Sequence, residues 1–369
     1  MKSAITEPRA NNSLSIGLVG PLPPPFGGMA NQTNQLASLL KSEGIQVVLV
    51  QTNPPYPNLL LSKIKGVRAL LRLPLYVREL WKVTAQVDCL HVMANSGWSW
   101  QLFAAPAIWI GWLRGVPVVV NYRGGEAAVY LKKSIRFVSP TLNKCSALIV
   151  PSPFLKGVFE RFGFSAEVIP NVVDLNRFTF NARRNVHDIK SPIIVITRNL
   201  EEIYGIEVAI NAIAIVRNKF PGIKVFIAGS GPLEKKLIAL AEDKGLVSNI
   251  VFTGKLTPDE VSELYRKADI MLNPTTVDNM PNSVLEALAC GLAVVSTNVG
   301  GIPYIVQNEY TALLVEINDF EMMADKIEQL INDPKLYEKL VFNGRSYVEQ
   351  YGWNIVKDQW LDLYNRLIA

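Results

Sequence analysis

The sequence predicts an α/β fold in two domains, each built on a parallel, doubly wound sheet. A chain of 369 residues is longer than one typical core requires, and two domains suit this length. The composition, 49% hydrophobic and 19% charged, is that of a well-buried globular protein and argues against disorder. Short apolar runs rich in β-branched residues alternate with helical stretches along the chain, and this alternation is typical of parallel sheets.

The first half begins with an apolar strand that leads into a loop rich in proline and glycine, residues 21–28, and then into a helix from Met29 to about Glu43. Further strands follow between helical stretches, so that the predicted strands of this half are residues 14–20, 46–51, 88–92, 117–121 and 147–151. The most apolar segment, residues 98–113, is shorter than a membrane span. A buried helix is expected there.

The second half repeats this plan and ends in two or three helices from Asp319 onward. Its predicted strands are residues 192–197, 223–229, 249–254, 269–274 and 293–297. A strand-like run meets Pro-Asn near residues 168–174, which predicts a boundary between domains 1–172 and 173–352. Because ligands bind at the carboxyl ends of parallel strands, two facing domains of this kind predict a cleft suited to two substrates.

The charge of the chain is unevenly distributed. Residues 1–170 carry 17 basic and 7 acidic residues, a net charge of +10, whereas the remainder carries 20 basic and 25 acidic residues, a net charge of −5. Much of the basic excess lies in residues 61–82, where Lys and Arg interleave with Leu, Val, Tyr and Trp. Two interpretations stay open: a face for an anionic membrane surface or acceptor, or a solvated helix pair whose long cationic side chains cover apolar surface.

Several protein classes do not fit the sequence. Cys89, Cys145 and Cys290 are widely spaced and odd in number, which suits neither a disulfide framework nor a zinc site and fits a reducing cytosol. The first residues lack the apolar core of a signal peptide, so that a cytoplasmic location is expected. Neither histidine lies in a nucleophile-like context, no Asp-x-Asp motif suggests a metal-bridged diphosphate, and no DNA-reading motif suggests a nucleic-acid partner.

Residues 274–301 hold the motif on which the functional interpretation depends. A strand leads into a loop with Asp278, and a helix starts near Pro281, whose missing N–H suits a first helical turn. Glu286 follows about one turn into the helix, so that one carboxylate is available to sugar hydroxyls and the other to a ribose diol. The alternative is that Asp278 caps the helix and Glu286 is an ordinary surface residue. Helix-terminal N–H groups are expected to form an anion site, namely those of Asn282, Ser283, Val284 and Leu285.

This segment resembles the hallmark of glycosyltransferase family 4 (group 1), the retaining glycosyltransferases of the GT-B fold. The resemblance covers nearly the whole chain. It implies two Rossmann-like domains whose parallel sheets face each other across a cleft, and a helix over residues 353–369 that crosses back to the N-terminal domain. It also implies a nucleotide-sugar co-substrate, no cofactor and no metal ion. The matching residues are Asp278 and Glu286, with seven residues between them, followed by Ala287, Ala289, Cys290, Gly291, Val294 and Val295.

The resemblance further implies roles for individual residues. Glu286 is expected to bind the donor ribose and Asp278 to contact the transferred sugar. Arg198 is expected to neutralise the charge that develops on the leaving diphosphate, and these three are the expected catalytic residues. The other donor-binding positions implied are Gly27, Gly28, Tyr204, Gly229, Gly231, Pro232, Lys255, Leu256, Asn279, Met280, Pro281, Asn282 and Ser283.

The chain departs from the family pattern at three positions. Asp278 stands where the family has Glu, which shortens the reach by one methylene, and Ala293 stands where it has Pro. Tyr204 stands where the family has Lys, so that one positive charge is missing. Either Arg198 suffices, or Arg123 of the first domain supplies a second cation. The alternative for Arg123 is a surface turn residue.

The acceptor side is the least specified part of the sequence. Where many family members have a histidine near the reacting sugar, this chain has Asn121, Tyr122 and Arg123. His91, at the end of an earlier strand, either lines the acceptor side or is a hydrogen-bonded core histidine. The acceptor-side candidates are therefore His91, Tyr122 and Arg123.

The sequence as a whole predicts a retaining glycosyltransferase that moves a sugar from a UDP- or GDP-sugar to a hydroxyl of an acceptor. The expected acceptor is a lipid-linked molecule, a polysaccharide or another glycoconjugate. On the membrane interpretation of the basic segment, the protein contacts the inner face of the cell membrane peripherally. The alternatives are a nucleotide-sugar epimerase or sugar phosphorylase of the same architecture, and a non-catalytic nucleotide-sugar-binding protein.

Overall fold

The computed structural model describes residues 14–24, 27–54, 67–180 and 191–369, with side chains described from residue 73 onward in the helix that starts at Val67. The chain divides into two compact units. The first lies within residues 1–149, 162–167 and 361–369, and the second comprises residues 150–161 and 168–360. The predicted domain limits after residues 172 and 352 stay predictions.

The first unit is built on a six-stranded sheet in the order β2-β1-β3-β4-β5-β6, in which β1 to β5 pair in parallel. Its strands are β1 (Ser15–Gly20), β2 (Gln46–Gln51), β3 (Cys89–Ala94), β4 (Val118–Tyr122), β5 (Ala147–Val150) and β6 (Glu167–Val168). Its helices are α1 (Gly28–Ser42), α2 (Val67–Val83), α3 (Ala105–Leu113) and α4 (Ala127–Leu142). Every residue of β1, β3 and β4 is buried, which explains why these strands are continuous apolar runs rather than alternating patterns.

The second unit is built on a parallel six-stranded sheet in the order β12-β11-β10-β7-β8-β9. Its strands are β7 (Ile193–Thr197), β8 (Lys224–Ala228), β9 (Ile250–Gly254), β10 (Ile270–Asn273), β11 (Ala293–Thr297) and β12 (Leu313–Val315). The remaining helices are α5 (Pro153–Glu160), α6 (Ile206–Lys219), α7 (Glu234–Asp243), α8 (Pro258–Lys267), α9 (Asn282–Cys290), α10 (Phe320–Asn332), α11 (Pro334–Val348) and α12 (Trp353–Ile368). The last turns of α12, from Leu361, are part of the first unit.

The ten strands predicted from the sequence are confirmed. Strands β6 and β12 were not predicted, because two and three residues are too few for a periodic pattern to show. The apolar segment 98–113 is buried only in part: it forms a π-helical turn (Trp100–Ala104) and α3, whose last residues, Trp112 and Leu113, are exposed. None of the described helices is long and apolar enough to cross a membrane.

Two apolar clusters flank the second sheet and fix the register of its strands. Ile194 and Ile196 of β7 belong to one cluster and Val195 to the other, as alternating strand residues must. Strand β10 pairs with β7 on one side and with β11 on the other, where Asn273 lies opposite Ser296. The carboxyl ends of β7, β10 and β11 therefore meet at one edge, where parallel sheets bind ligands.

Candidate active site

Arg198 is the centre of the polar site at this edge of the second sheet. It follows β7 directly, and its Nε donates a hydrogen bond to Asn273 Oδ1 at 2.8 Å, at the end of β10. Its Nη2 donates to the Asp278 carboxylate, and the side chains of this ion pair are only 12% and 14% exposed. Burial lowers the pKa of Arg198 to about 10, while nearby Tyr204, Tyr265 and Glu286 act to raise it. The guanidinium is therefore charged at neutral pH and matched by one carboxylate.

The amide of Asn273 is oriented by its second hydrogen bond. Asn273 Nδ2 donates to Ser296 Oγ at 2.9 Å, on the neighbouring strand, so that Oδ1 is left facing Arg198. This residue was not among the predicted site residues. Only the register of β7, β10 and β11 brings it beside the arginine, and register cannot be read from an isolated strand.

Tyr204 lies against Arg198 with its ring face. The guanidinium carbon is 5.1 Å from the ring centroid, within the range of a cation–π contact. The turn that carries the tyrosine ends at Gly205, with φ +60, where a Cβ would collide with the carbonyl oxygen of Pro274. Thr275 Oγ1 also donates to the Ile203 carbonyl at 3.0 Å, so that the loops after β7 and β10 are held together.

Gly229 and Gly231, in the predicted Gly-x-Gly-Pro loop with Pro232, allow this loop to pack closely against the chain segment of Arg198. A Cβ at Gly229 would collide with the carbonyl oxygen of Arg198, and one at Gly231 with that of Leu200. The Leu200 amide donates to the Ser230 carbonyl at 3.1 Å. The glycines thus fix the backbone from which Arg198 projects.

Lys255 and Leu256, also predicted to bind the donor, follow β9 at the edge of the sheet. The lysine is exposed, whereas Leu256 packs against the second apolar cluster. Strand β8 lies between β7, which Arg198 follows, and β9, which Lys255 and Leu256 follow. The Gly229–Gly231 loop after β8 therefore separates both residues from Arg198.

The start of α9 is an uncapped helix terminus. Pro281 is its N-cap residue and no side chain caps it, so that Asp278 is not the helix cap. Instead Asp278 Oδ1 accepts a hydrogen bond from the Asn279 amide at 2.9 Å. The predicted anion site is smaller than expected, because the amides of Val284 and Leu285 donate to the Pro281 carbonyl at 3.2 and 3.4 Å.

Three other residues near this helix start have surroundings that the sequence pattern alone does not suggest. Ser283 Oγ is buried without a hydrogen-bond partner within the described residues. Met280 and Asn282 are held by Asn171, whose Nδ2 donates to the Met280 carbonyl at 2.9 Å and to Asn282 Oδ1 at 2.7 Å. Asn171 was not predicted. Its only signal was the Pro-Asn pair at the expected domain boundary.

Glu286 is a half-buried carboxyl group in α9 rather than an ordinary surface residue. Burial raises its pKa to about 7, Asp174 raises it further, and the positive charges of Arg177 and Arg198 lower it. Tyr265 lies nearby and donates to the Ser283 carbonyl at 3.2 Å, while Thr197 Oγ1 contacts the tyrosine hydroxyl. Glu286 therefore titrates close to neutral pH.

Gly300 and Gly301, which follow β11, pack against the backbone of the loop that carries Asp278. They were not among the predicted site residues. A Cβ at either position would collide with the carbonyl oxygen of Asp278 or Asn279, respectively. The Gly301 amide donates to the Asp278 carbonyl at 3.0 Å. The pair holds the backbone of the acidic loop in place.

The remaining predicted residues lie in the first unit. Gly27 is the N-cap of α1, and a Cβ at Gly27 or Gly28 would meet nothing within 4 Å, so that packing does not require these glycines. His91 is fully buried and hydrogen-bonded to Asn121 and to Tyr364 of α12. Tyr122 and Arg123 follow at the carboxyl end of β4, and the Tyr122 hydroxyl is 2.6 Å from Ser96 Oγ.

No three His, Cys, Asp or Glu side chains come together as a metal site in the part of the chain that the structure describes. The site thus consists of one paired arginine, two carboxyl groups, an uncapped helix start and interlocked glycine loops. Such a set can receive an anionic group and several hydroxyl groups.

Comparison with known proteins identifies two family models that together match most of the chain. The model for glycosyl transferases group 1 matches residues 178–347, and that for glycosyltransferase family 4 matches residues 26–177. A D-inositol 3-phosphate glycosyltransferase of Paenarthrobacter aurescens is 28% identical over 212 residues, 55% of this chain and 52% of that protein. A GDP-mannose-dependent alpha-(1-6)-phosphatidylinositol monomannoside mannosyltransferase of Mycobacterium tuberculosis is 27% identical over 212 residues, 54% of this chain and 55% of that protein. The chain thus spans about half the length of the curated relatives it matches.

Two solved structures share the fold over almost the entire chain. Sucrose-phosphate synthase from Thermosynechococcus elongatus has a TM-score of 0.78 at 21% identity and covers 96% of this chain and 99% of its own. Anabaena HepE in complex with UDP and glucose has a TM-score of 0.76 at 16% identity and covers 96% and 100%. At these identities the likeness concerns the fold, and the predicted pair of parallel α/β sheets is confirmed.

Proposed function

Because this chain belongs to glycosyltransferase family 4 (group 1) and has the GT-B fold, we propose that it transfers a sugar from a nucleotide-sugar to an acceptor hydroxyl, with retention of anomeric configuration. The donor is a UDP- or GDP-sugar, and the acceptor is lipid-linked or another glycoconjugate. The names of similar proteins support the choice of donor and of acceptor. One relative is GDP-mannose-dependent and acts on a phosphatidylinositol mannoside, and a structural neighbour binds UDP.

The observation that carries the proposal is the buried guanidinium of Arg198. It contacts Asp278, in the loop that leads into the uncapped start of α9. A nucleoside diphosphate leaves with negative charge on its phosphate oxygens, and a preorganised cation with helix-terminal amides stabilises that charge. In this role the diphosphate replaces the Asp278 carboxylate as the partner of Arg198. The chemistry assigned to these groups requires no metal ion.

The two carboxyl groups then have separate tasks. Asp278, released from Arg198, accepts hydrogen bonds from hydroxyls of the transferred sugar, and its short side chain selects how close that sugar lies. Glu286 accepts from the ribose diol, and two hydroxyl donors favour its charged form over the neutral form that burial favours. Gly27 and Gly28 stay predicted donor-binding positions, and the absence of any atom within 4 Å of a Cβ at either one suits close approach of a ligand to the backbone.

The transfer itself follows the front-face route that the family resemblance implies. The acceptor oxygen bonds to the anomeric carbon on the face from which the phosphate oxygen departs. That phosphate oxygen takes the proton of the acceptor hydroxyl, so that the products are the glycoside and the nucleoside diphosphate. No protein side chain need act as the base.

A donor panel tests this proposal directly. UDP-, GDP- and ADP-sugars are compared by thermal shift and by slow hydrolysis, and one nucleotide is expected to stabilise the protein and release sugar. Glu286→Ala is expected to abolish both responses, whereas Glu263→Ala, an exposed glutamate of α8, retains them. Full activity of Glu286→Ala would refute the site assignment. Epimerisation of the donor sugar without its release, dependence on phosphate, or tight binding without turnover would instead favour the epimerase, phosphorylase or binding-protein alternatives, respectively.

We further infer peripheral contact with an anionic membrane surface through the first unit. Trp81, Trp112 and Leu113 of the first unit are 49%, 46% and 64% exposed. Cations lie over both indoles, with Arg114 at 4.8 Å from Trp81 and Lys144 at 3.9 Å from Trp112. Exposed indoles beside cations are typical of membrane-interface surfaces.

Vesicle sedimentation tests this contact. The double variant Trp81→Ser and Trp112→Ser is expected to lose binding to vesicles that contain anionic lipid, because both indoles and their stacked cations act there. Phe342→Ser removes a more exposed aromatic residue, 69% exposed, from the second unit and serves as the control. Absence of binding by the parent protein would overturn the inference. Of the basic segment 61–82, residues 61–66 lie outside the described residues.

A further inference from the structure

A hydrogen-bonded chain of four side chains runs through the first unit from α12 to the end of β4. Tyr364 Oη is 2.6 Å from His91 Nδ1, and His91 Nε2 is 2.9 Å from Asn121 Nδ2. Asn121 Oδ1 in turn accepts from Arg123 Nε at 2.7 Å. Tyr364, His91 and Asn121 are fully buried, so that the chain is shielded from competing water.

The direction of every hydrogen bond in this chain follows from Arg123. A guanidinium only donates, so that the Asn121 oxygen must face Arg123 and its amide nitrogen must face His91. His91 Nε2 then accepts, and the neutral imidazole carries its proton on Nδ1, toward Tyr364. Burial and the nearby charge of Arg123 lower the pKa of His91 to about 3, which is consistent with a neutral ring. The chain thus holds the guanidinium in one orientation.

Among the residues that the structure describes, Arg123 has no carboxylate partner, whereas Arg198 is paired with Asp278. Arg123 Nη1 is buried without a hydrogen-bond partner, and no ion pair joins it to any residue in the described ranges. Burial lowers its pKa to about 9, so that it still carries its charge at neutral pH. A shielded cation without a counter-ion is costly, and a bound anion would relieve that cost.

A buried indole and a close-packed turn lie against Tyr122 and Gly124, the neighbours of Arg123 in the chain. Trp100 Nε1, in the π-helical turn, is also buried without a partner in the described part of the chain, and its ring lies 6.3 Å from that of Tyr122. A Cβ at Gly124 would lie 2.6 Å from Asn95 Oδ1 and 2.8 Å from Ser96 Oγ. The loops after β3 and β4 are therefore held together beside Arg123, as a rigid binding site requires.

We propose that Arg123 binds an anionic group of a substrate, a phosphate or a carboxylate, and that Asn121 and His91 are positioning residues that orient it. The inference rests on the proposed transferase function and adds an anion requirement on the first unit. The anion belongs either to the acceptor or to the donor diphosphate, and these two sources are separable by experiment.

The test measures binding of inorganic phosphate and of UDP to the full chain by calorimetry, without turnover. Arg123→Gln is expected to weaken phosphate binding by about tenfold or more, since a charge-assisted hydrogen bond is lost. Arg136→Gln removes the same charge from an exposed position of α4 and is expected to bind both ligands like the parent. Weaker phosphate binding with unchanged UDP binding assigns the anion to the acceptor, and loss of both assigns it to the donor.

The positioning role is tested by Asn121→Asp, which keeps Arg123 in the chain. The new carboxylate pairs with the guanidinium and removes the donor to His91, so that phosphate binding is expected to fall as far as in Arg123→Gln. The thermal unfolding midpoint reports whether the variant folds, and Tyr364→Phe, which removes only the last hydroxyl, is the milder companion. Parent-like binding of phosphate and UDP by Arg123→Gln, or no phosphate binding by the parent at millimolar concentration, overturns the inference.

Discussion

Replacing Glu286 by glutamine is expected to stabilise the protein above neutral pH while it weakens donor binding. Burial raises the pKa of this carboxyl group from 4.5 to about 7 in the folded protein. Between these two values the folded state binds more protons than the unfolded state, so that stability falls as the pH rises through this window. Above pH 7 the whole penalty is present, and a shift of this size corresponds to about 3 kcal/mol.

Glutamine has the same shape but no charge, and therefore removes the penalty. The difference in stability between Glu286→Gln and the parent is expected to be small at pH 4 and to grow to about 3 kcal/mol at pH 8. For a unit of this size that difference corresponds to a rise of roughly 6–12 °C in the unfolding midpoint. Scanning calorimetry at a series of pH values measures it, with Glu263→Gln as an exposed control.

The same variant should bind UDP about tenfold more weakly, because a neutral amide accepts the ribose hydroxyls less strongly than a carboxylate does. If the Glu286 charge serves donor binding at the expense of stability, removing it should raise the stability and lower the affinity for UDP. A stability difference that does not change with pH would refute the reasoning, since it would show that Glu286 does not titrate near pH 7.

Three further predictions concern the supports of Arg198. Gly205→Ala is expected to lower stability more than Gly44→Ala does, because both glycines have positive φ but only a Cβ at Gly205 would meet a backbone carbonyl, that of Pro274. The backbone strain common to both variants costs about 1–3 kcal/mol. Equal unfolding midpoints of the two variants would contradict this prediction. Tyr204→Phe should keep the ring contact and the UDP affinity, whereas Tyr204→Leu should lower the affinity by about fivefold; calorimetry that ranks both variants alike would contradict the cation–π contact. Asn171→Ala should lower stability by about 1–3 kcal/mol and weaken UDP binding, because one buried and one partly buried acceptor near the start of α9 lose their donor; parent-like values in both measurements would contradict this.

The sequence is informative where one short segment determines the outcome. The apolar strands were predictable because β-branched runs of five or six residues have few alternatives to a buried parallel strand. The contact of Arg198 with Asp278 was not predictable from the residues, because it joins positions 80 apart through the pairing of β7 with β10. Only the family resemblance placed both residues at one site.

Other features of the site depend on tertiary contacts that leave no local signal. Asn171 acts through Met280, 109 residues later, and the Asn121–His91 pair depends on β3 lying beside β4. The amides of Val284 and Leu285 were expected to be open, yet with Pro281 as the N-cap residue its carbonyl accepts hydrogen bonds from both. A shift of one residue in a helix start decides such details, and propensity does not fix a start that closely.

The glycine loops around Arg198 have a consequence for how the proposed transferase can be re-engineered. The backbone of each loop packs directly against a carbonyl group of a neighbouring loop at five glycines, Gly205, Gly229, Gly231, Gly300 and Gly301. Each loop therefore holds the next one in position. A change in the length of any one of them would displace the rest together with the arginine. New sugar preferences should therefore be sought by exchanging side chains between these glycines, with every loop length left as it is.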